Sequence, residues 1–146
     1  MTYNLSIEVF GPGTDPEYRS HWGFMINKPD NLDFGDLLQV EVIDINNLWY
    51  EYTPRYGTKI IDRCAVGMCK IADLTPDQRS QAITVIKKEA APRGNNKRCQ
   101  DWVFDALLSL EIEDLVPSGT SEFWKGMIGK AAVEVAKACR EQWTAF

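Results

Sequence analysis

Leu5, Ile7 and Val9 alternate with polar neighbours over residues 4–10. That period of two predicts a half-buried strand. Gly11, Pro12 and Gly13 end it. The apolar run at residues 21–26, HWGFMI, predicts a second strand, and the turn-forming residues at 27–35, with Pro29, Asn31 and Gly35, follow it. LLQVEVI at residues 37–43 predicts a third strand, and the aromatic LWYEY at 48–52 is strand-prone. Residues 59–71 predict one or two more strands, with Gly67 as a bulge or turn.

After residue 74 the period lengthens. Thr75, Pro76, Asp77 and Gln78 form a capping box with proline at the first helical position. The helix they open runs to about Ala91 and buries Ala82, Val85 and Ile86. Residues 92–96, PRGNN, break it, and Asn95 or Asn96 caps a second helix with Trp102, Val103, Ala106, Leu107 and Leu110 inside. Residues 117–120 form a loop, and Ser121 caps a last helix reaching about Trp143. Its stripe of Trp124, Met127, Ile128, Ala131, Val135 and Ala138 reads as core packing, with a partner face as the other reading. Strands first and helices after predict an α+β fold: an antiparallel sheet from the N-terminal half against three helices from the C-terminal half.

The 146 residues suit a single domain, 1–146, with a core that needs no disulfide staples. A net charge of -5 argues against nucleic acid as a partner and against a polybasic membrane patch. No apolar run reaches the roughly 18 residues of a membrane span. The N-terminal MTYNLSIEVFGPG lacks the pattern of a signal peptide, so the expected location is cytoplasmic, with reduced thiols. The four cysteines (Cys64, Cys69, Cys99 and Cys139) and the single histidine fit no zinc spacing. Neither a metal nor another cofactor is expected, and Cys64, Cys69 and Cys139 read as small buried apolar residues.

Cys99 is different. With Asn96 as the cap it falls in the first helical turn, where unsatisfied N–H groups and the positive end of the helix dipole lower a thiol pKa. Lys97 and Arg98 add positive charge nearby. A cysteine nucleophile needs a base, and His21 is the only histidine available. Asp101 reads as a charge compatible with the dipole that points away from the thiol.

HWGFMI at 21–26, followed much later by RCQDWV at 98–103, resembles the circularly permuted papain-like hydrolases. These include the lecithin:retinol acyltransferase-like and PPPDE families, relatives of the NlpC/P60 peptidases. The resemblance covers roughly residues 15–110: a histidine early on a strand, then a cysteine opening a helix ahead of an aromatic. The same two motifs resemble those of small uncharacterised fungal proteins, which adds no function. Two positions depart from the family pattern. Arg98 stands where asparagine usually precedes the cysteine, which bears on the oxyanion donors. Gln39 stands where the acyltransferase-like members carry a second histidine, which bears on support of the imidazolium.

The resemblance implies a third polar residue on the next strand, and Gln39 occupies that place. Its amide oxygen can accept the proton of one ring nitrogen and hold the tautomer. The other reading has Gln39 alternating outward with Glu41 on an exposed strand face. The implied activity is a cysteine-dependent hydrolase or acyltransferase acting on an ester, amide or thioester. Cys99 is the nucleophile, His21 the base, Gln39 the orienting residue, and the Cys99 N–H an oxyanion donor. Tyr18, Trp22, Trp49, Tyr50, Tyr52 and Trp102 are the candidate substrate-binding residues, with core packing as the rival reading of the aromatics. A small-molecule or acyl substrate is expected, and a homodimer stays open. Rival functions are a protease of small protein modifiers, a natural-product cyclase or isomerase using the same dyad, and a non-catalytic binding module on the same fold.

Overall fold

A computed structural model describes residues 1–146. The chain begins with strands β1 (Tyr3–Phe10), β2 (His21–Asn27), β3 (Phe34–Leu38), β4 (Val40–Asp44) and β5 (Trp49–Tyr52). Then come β6 (Arg55–Lys59), β7 (Ala65–Leu74) and the helices α1 (Pro76–Lys88), α2 (Cys99–Ile112), α3 (Thr120–Lys125) and α4 (Ala132–Cys139). A 3-10 turn, Arg140–Gln142, leads into a short last strand, β8 (Trp143–Ala145). The fold is α+β.

Six strands form one antiparallel sheet in the order β6-β3-β2-β1-β7-β8, and β4 pairs with β5 in a separate hairpin. Alternation along each strand gives the sheet two faces. Leu5, Ile7, Val9, Trp22, Phe24 and Ile26 join the main core beneath α1 and α2, with Ala82, Ile86, Trp102, Val103 and Leu107. Met25, Leu37, Ile60 and Met68 form a smaller cluster on the opposite face.

Thr75 caps α1 as its box predicts: its hydroxyl accepts from the Gln78 N–H, and the Gln78 side chain accepts from the Thr75 N–H. The helix stops at Lys88, short of Ala91, with Ala82 and Ile86 buried and Val85 half-buried.

Three expectations are corrected. The third strand is two strands. The chain leaves the main sheet at Gln39, so β3 pairs with β2 and β6 while β4 pairs with β5. The long last helix is broken between Lys125 and Ala132, where Gly129 takes a left-handed φ of 82°. Gly119, ahead of the expected Ser121, is its cap. Trp143 ends on a strand instead of a helix. β8 pairs with β7, and the Trp143 indole lies so close over Gly67 that any side chain there would collide with it. Gly67 is thus an in-strand contact point beside a register shift between β1 and β7.

No helix is long and apolar enough to cross a membrane.

Candidate functional site

His21 opens β2 opposite Phe10, and their rings meet at a tilt of 43° with centroids 5.4 Å apart. Cys99 opens α2, whose body packs under the sheet through Trp102 and Val103. The N-cap is Arg98 in extended conformation, φ -127° and ψ -173°. Asn95 and Asn96, the expected caps, instead take left-handed φ values of 60° and 58°. Asparagine tolerates that region, and the pair turns the chain into the helix. Asp101 completes the cap by accepting from the Arg98 N–H at 2.8 Å. Cys99 is therefore the first helical residue, and its N–H is one of the helix-start donors without an intrahelical partner.

The thiol and the imidazole face each other at the end of β2. Burial pushes the Cys99 thiol up, but hydrogen bonding and charge interaction with His21, plus the backbone N–H groups of Trp22 and Gln100, bring it below its ordinary value. Burial likewise opposes charge on His21, and Cys99, then Gln39 and Glu41, outweigh it and raise the ring's pKa. The two shifts favour a thiolate–imidazolium pair. Lys97 and Arg98 are engaged away from the thiol: Lys97 binds Asp105 at 3.1 Å, and Arg98 reaches the Glu17 carbonyl at 3.4 Å.

Gln39 is buried, not alternating outward. Its Oε1 lies 2.7 Å from His21 Nε2. Gly23, between them on β2, makes room: a methyl there would meet Leu37 at 2.8 Å and Gln39 Cβ at 3.4 Å.

A cleft of about 500 Å³ opens over the dyad. Phe10, Leu37, Val40 and Tyr50 give it an apolar floor, and Arg19, Arg55, Lys59 and Asp62 give it a charged rim. Of the six aromatic candidates, only Tyr50 lines it. Its hydroxyl faces the Cys99 N–H, and burial, with Cys99 beside it, raises its pKa, so the phenol keeps its proton. Trp22 is core, edge-on to Trp124 at 5.2 Å. Trp102 is core against Phe24, with its N–H donating to the Glu89 carbonyl at 3.1 Å. Tyr52 packs on Trp102, Trp49 sits under Arg93, and Tyr18 is exposed outside the cleft. No three His, Cys, Asp or Glu side chains converge to hold a metal ion.

Two contributors escape a reading of the sequence. Gln100, wholly buried, donates to the Ser20 carbonyl at 2.9 Å and accepts from the Gly129 N–H at 2.9 Å. Glu41 accepts from the Gln39 amide at 2.8 Å and from Arg55 at 2.9 Å. The i, i+2 spacing of Gln39 and Glu41 was the available signal for the second; none pointed to Gln100.

Comparisons with family models, curated proteins and solved structures found no match.

Proposed function

We propose that the protein is a cysteine-dependent hydrolase or acyltransferase acting on an ester, amide or thioester. The observation that carries this reading is one chain of contacts. Cys99, at the start of α2, interacts with His21, whose Nε2 is held by the buried Gln39 amide.

The Cys99 thiolate attacks the carbonyl carbon, forming a C–S bond and placing negative charge on the oxygen. That oxygen takes over the Cys99 N–H from the Tyr50 hydroxyl and receives the phenol O–H as a second donor. Protonated His21 gives its proton to the leaving oxygen, nitrogen or sulfur as that bond breaks, which leaves a thioester on Cys99. Water, an amine or an alcohol then attacks the thioester, His21 accepts its proton, and the thiolate departs. The mixed apolar and charged cleft favours this reading over the closed aromatic pocket expected of a cyclase.

The test is incubation with an activated aryl ester and an aryl thioester, followed by mass spectrometry of the intact chain. The reading expects an acyl adduct that maps to Cys99 and is lost in His21→Ala. No adduct with either acyl donor, or an adduct formed equally well without His21, rules it out.

A further inference from the structure

We propose that Glu41 is a positioning residue that sets which nitrogen of His21 carries the proton. The inference rests on the Cys99–His21 reading above. It comes from the far side of Gln39, away from the thiol.

Gln39 lies where the chain leaves the main sheet, and its amide is held at both ends. Oε1 meets His21 Nε2 at 2.7 Å, and Nε2 of the amide meets Glu41 Oε1 at 2.8 Å. The same Glu41 oxygen accepts from Arg55 Nη2 at 2.9 Å, which pins the carboxylate. An ionised carboxylate only accepts hydrogen bonds. The amide must therefore turn its NH₂ toward Glu41 and its carbonyl toward the imidazole. A carbonyl also only accepts, so His21 Nε2 must carry a hydrogen. In the neutral ring the lone pair then falls on Nδ1, the nitrogen left for the Cys99 thiol.

Without the carboxylate, this logic lapses. A glutamine amide is nearly the same shape when turned over, with donor and acceptor exchanged. Turned over, Gln39 would offer NH₂ to His21 Nε2 and favour the opposite tautomer. The ring would then show the thiol an N–H instead of a base. Glu41 and Arg55 are partly exposed, so their ion pair adds little to folding. What the carboxylate does fix is the orientation of the Gln39 amide, and through it the ring.

Other charged or titratable groups border the same space. Cys99 comes from α2 and Tyr50 from β5, Arg55 and Lys59 belong to β6, and Arg19 and Asp62 lie on loops. None of these makes a hydrogen bond to the Gln39 amide, which leaves Glu41 as the group that orients it.

His21 is the only histidine, so ¹⁵N-histidine labelling of the full chain reports a single ring. In a Cys99→Ala background at a pH where the ring is neutral, couplings to the ring protons show which nitrogen is protonated. The expected result is hydrogen on Nε2, with a fall in that population in Glu41→Gln, Glu41→Lys or both. In the chain with Cys99 intact, Cys99 alkylation near pH 7 falls several-fold in the same variants, while the melting temperature stays put. Full retention of the Nε2 hydrogen in both variants overturns the inference. The dyad reading fails separately, if His21→Ala leaves Cys99 alkylation unchanged, because the tautomer is read in the ring and not in the reaction.

Discussion

Gln100 Nε2 donates to the Ser20 carbonyl at 2.9 Å, so the residue after the thiol is bonded to the residue before the imidazole. One buried side chain thus sets the spacing of two groups 78 positions apart in sequence, Cys99 and His21. Its other end accepts from Gly129 in the turn between α3 and α4, which stops the amide from turning over. Gln100→Leu keeps most of the volume and strands the buried Ser20 carbonyl, while the exposed Gly129 N–H can turn to water. The stranded carbonyl costs roughly 1–3 kcal/mol. The expected outcome is a lower urea midpoint together with slower Cys99 alkylation in the still-folded protein. A variant that loses stability but keeps wild-type alkylation would limit Gln100 to holding the fold.

The opposed pKa shifts of Cys99 and His21 make reactivity their most direct readout. Alkylation by iodoacetamide, in a chain with Cys64, Cys69 and Cys139 replaced by serine, should be fast well below the ordinary thiol pKa of about 8.5. Removing the ring in His21→Ala leaves burial as the dominant influence on the thiol. Each unit its pKa then rises lowers the thiolate fraction at pH 7 about tenfold. A drop of about tenfold or more at pH 7 is expected, with the rate recovering only at alkaline pH. Superimposable pH profiles for the two proteins would mean that the thiol and the ring do not act as a pair.

Much of this was legible in the sequence because it is local. The β1 and β2 strands follow from alternation, and α1 from its capping box. Cys99 near a helix start was readable, although its cap is Arg98 and not an asparagine. The break at Gln39 was hidden because Leu38, Val40 and Val42 alternate with Gln39 and Glu41 straight through it. What changes there is the hydrogen-bonding partner, and alternation does not record that. The last helix misled for a related reason: Trp124 and Val135, on opposite sides of the Gly129 turn, enter the same core. Arg55, which pins Glu41, and Gln100, which holds Ser20, act across 14 and 80 residues, so no local pattern points to either. Of the six aromatics, Trp22 and Trp102 fill the core and Tyr50 alone lines the cleft, a division that residue type does not reveal.

Gly23 offers a steric probe of the same site. An added methyl would stand 2.8 Å from Leu37 Cδ1 and 3.4 Å from Gln39 Cβ. Leu37 can rotate part of the way, but Gln39 is held by His21, by Glu41 and through its own carbonyl by the Thr53 N–H at 2.8 Å. Overpacking of this kind costs about 1–3 kcal/mol. Gly23→Ala is therefore expected to melt lower and to slow Cys99 alkylation by displacing Gln39 from the ring. Wild-type values for both would mean that the strands separate without disturbing the site.

Glu8 lies mid-strand in β1, wholly buried, with neither carboxylate oxygen hydrogen-bonded. Burial, with Asp62 second, raises its pKa from 4.5 to about 8. The sign of the consequence follows from which state holds the proton. Between these two values the folded chain keeps a proton that the unfolded chain has released, so stability falls as pH rises. The slope approaches about 1.4 kcal/mol per pH unit for one such group. Below the unfolded value both states are protonated and the penalty vanishes. Glu8→Gln keeps the shape and removes the titration. Its stability relative to wild type, measured by urea unfolding across about pH 5 to 8, should therefore climb steadily with pH. If the difference between the two proteins is constant over that range, Glu8 is ionised in the native state and must have a partner or water that satisfies it.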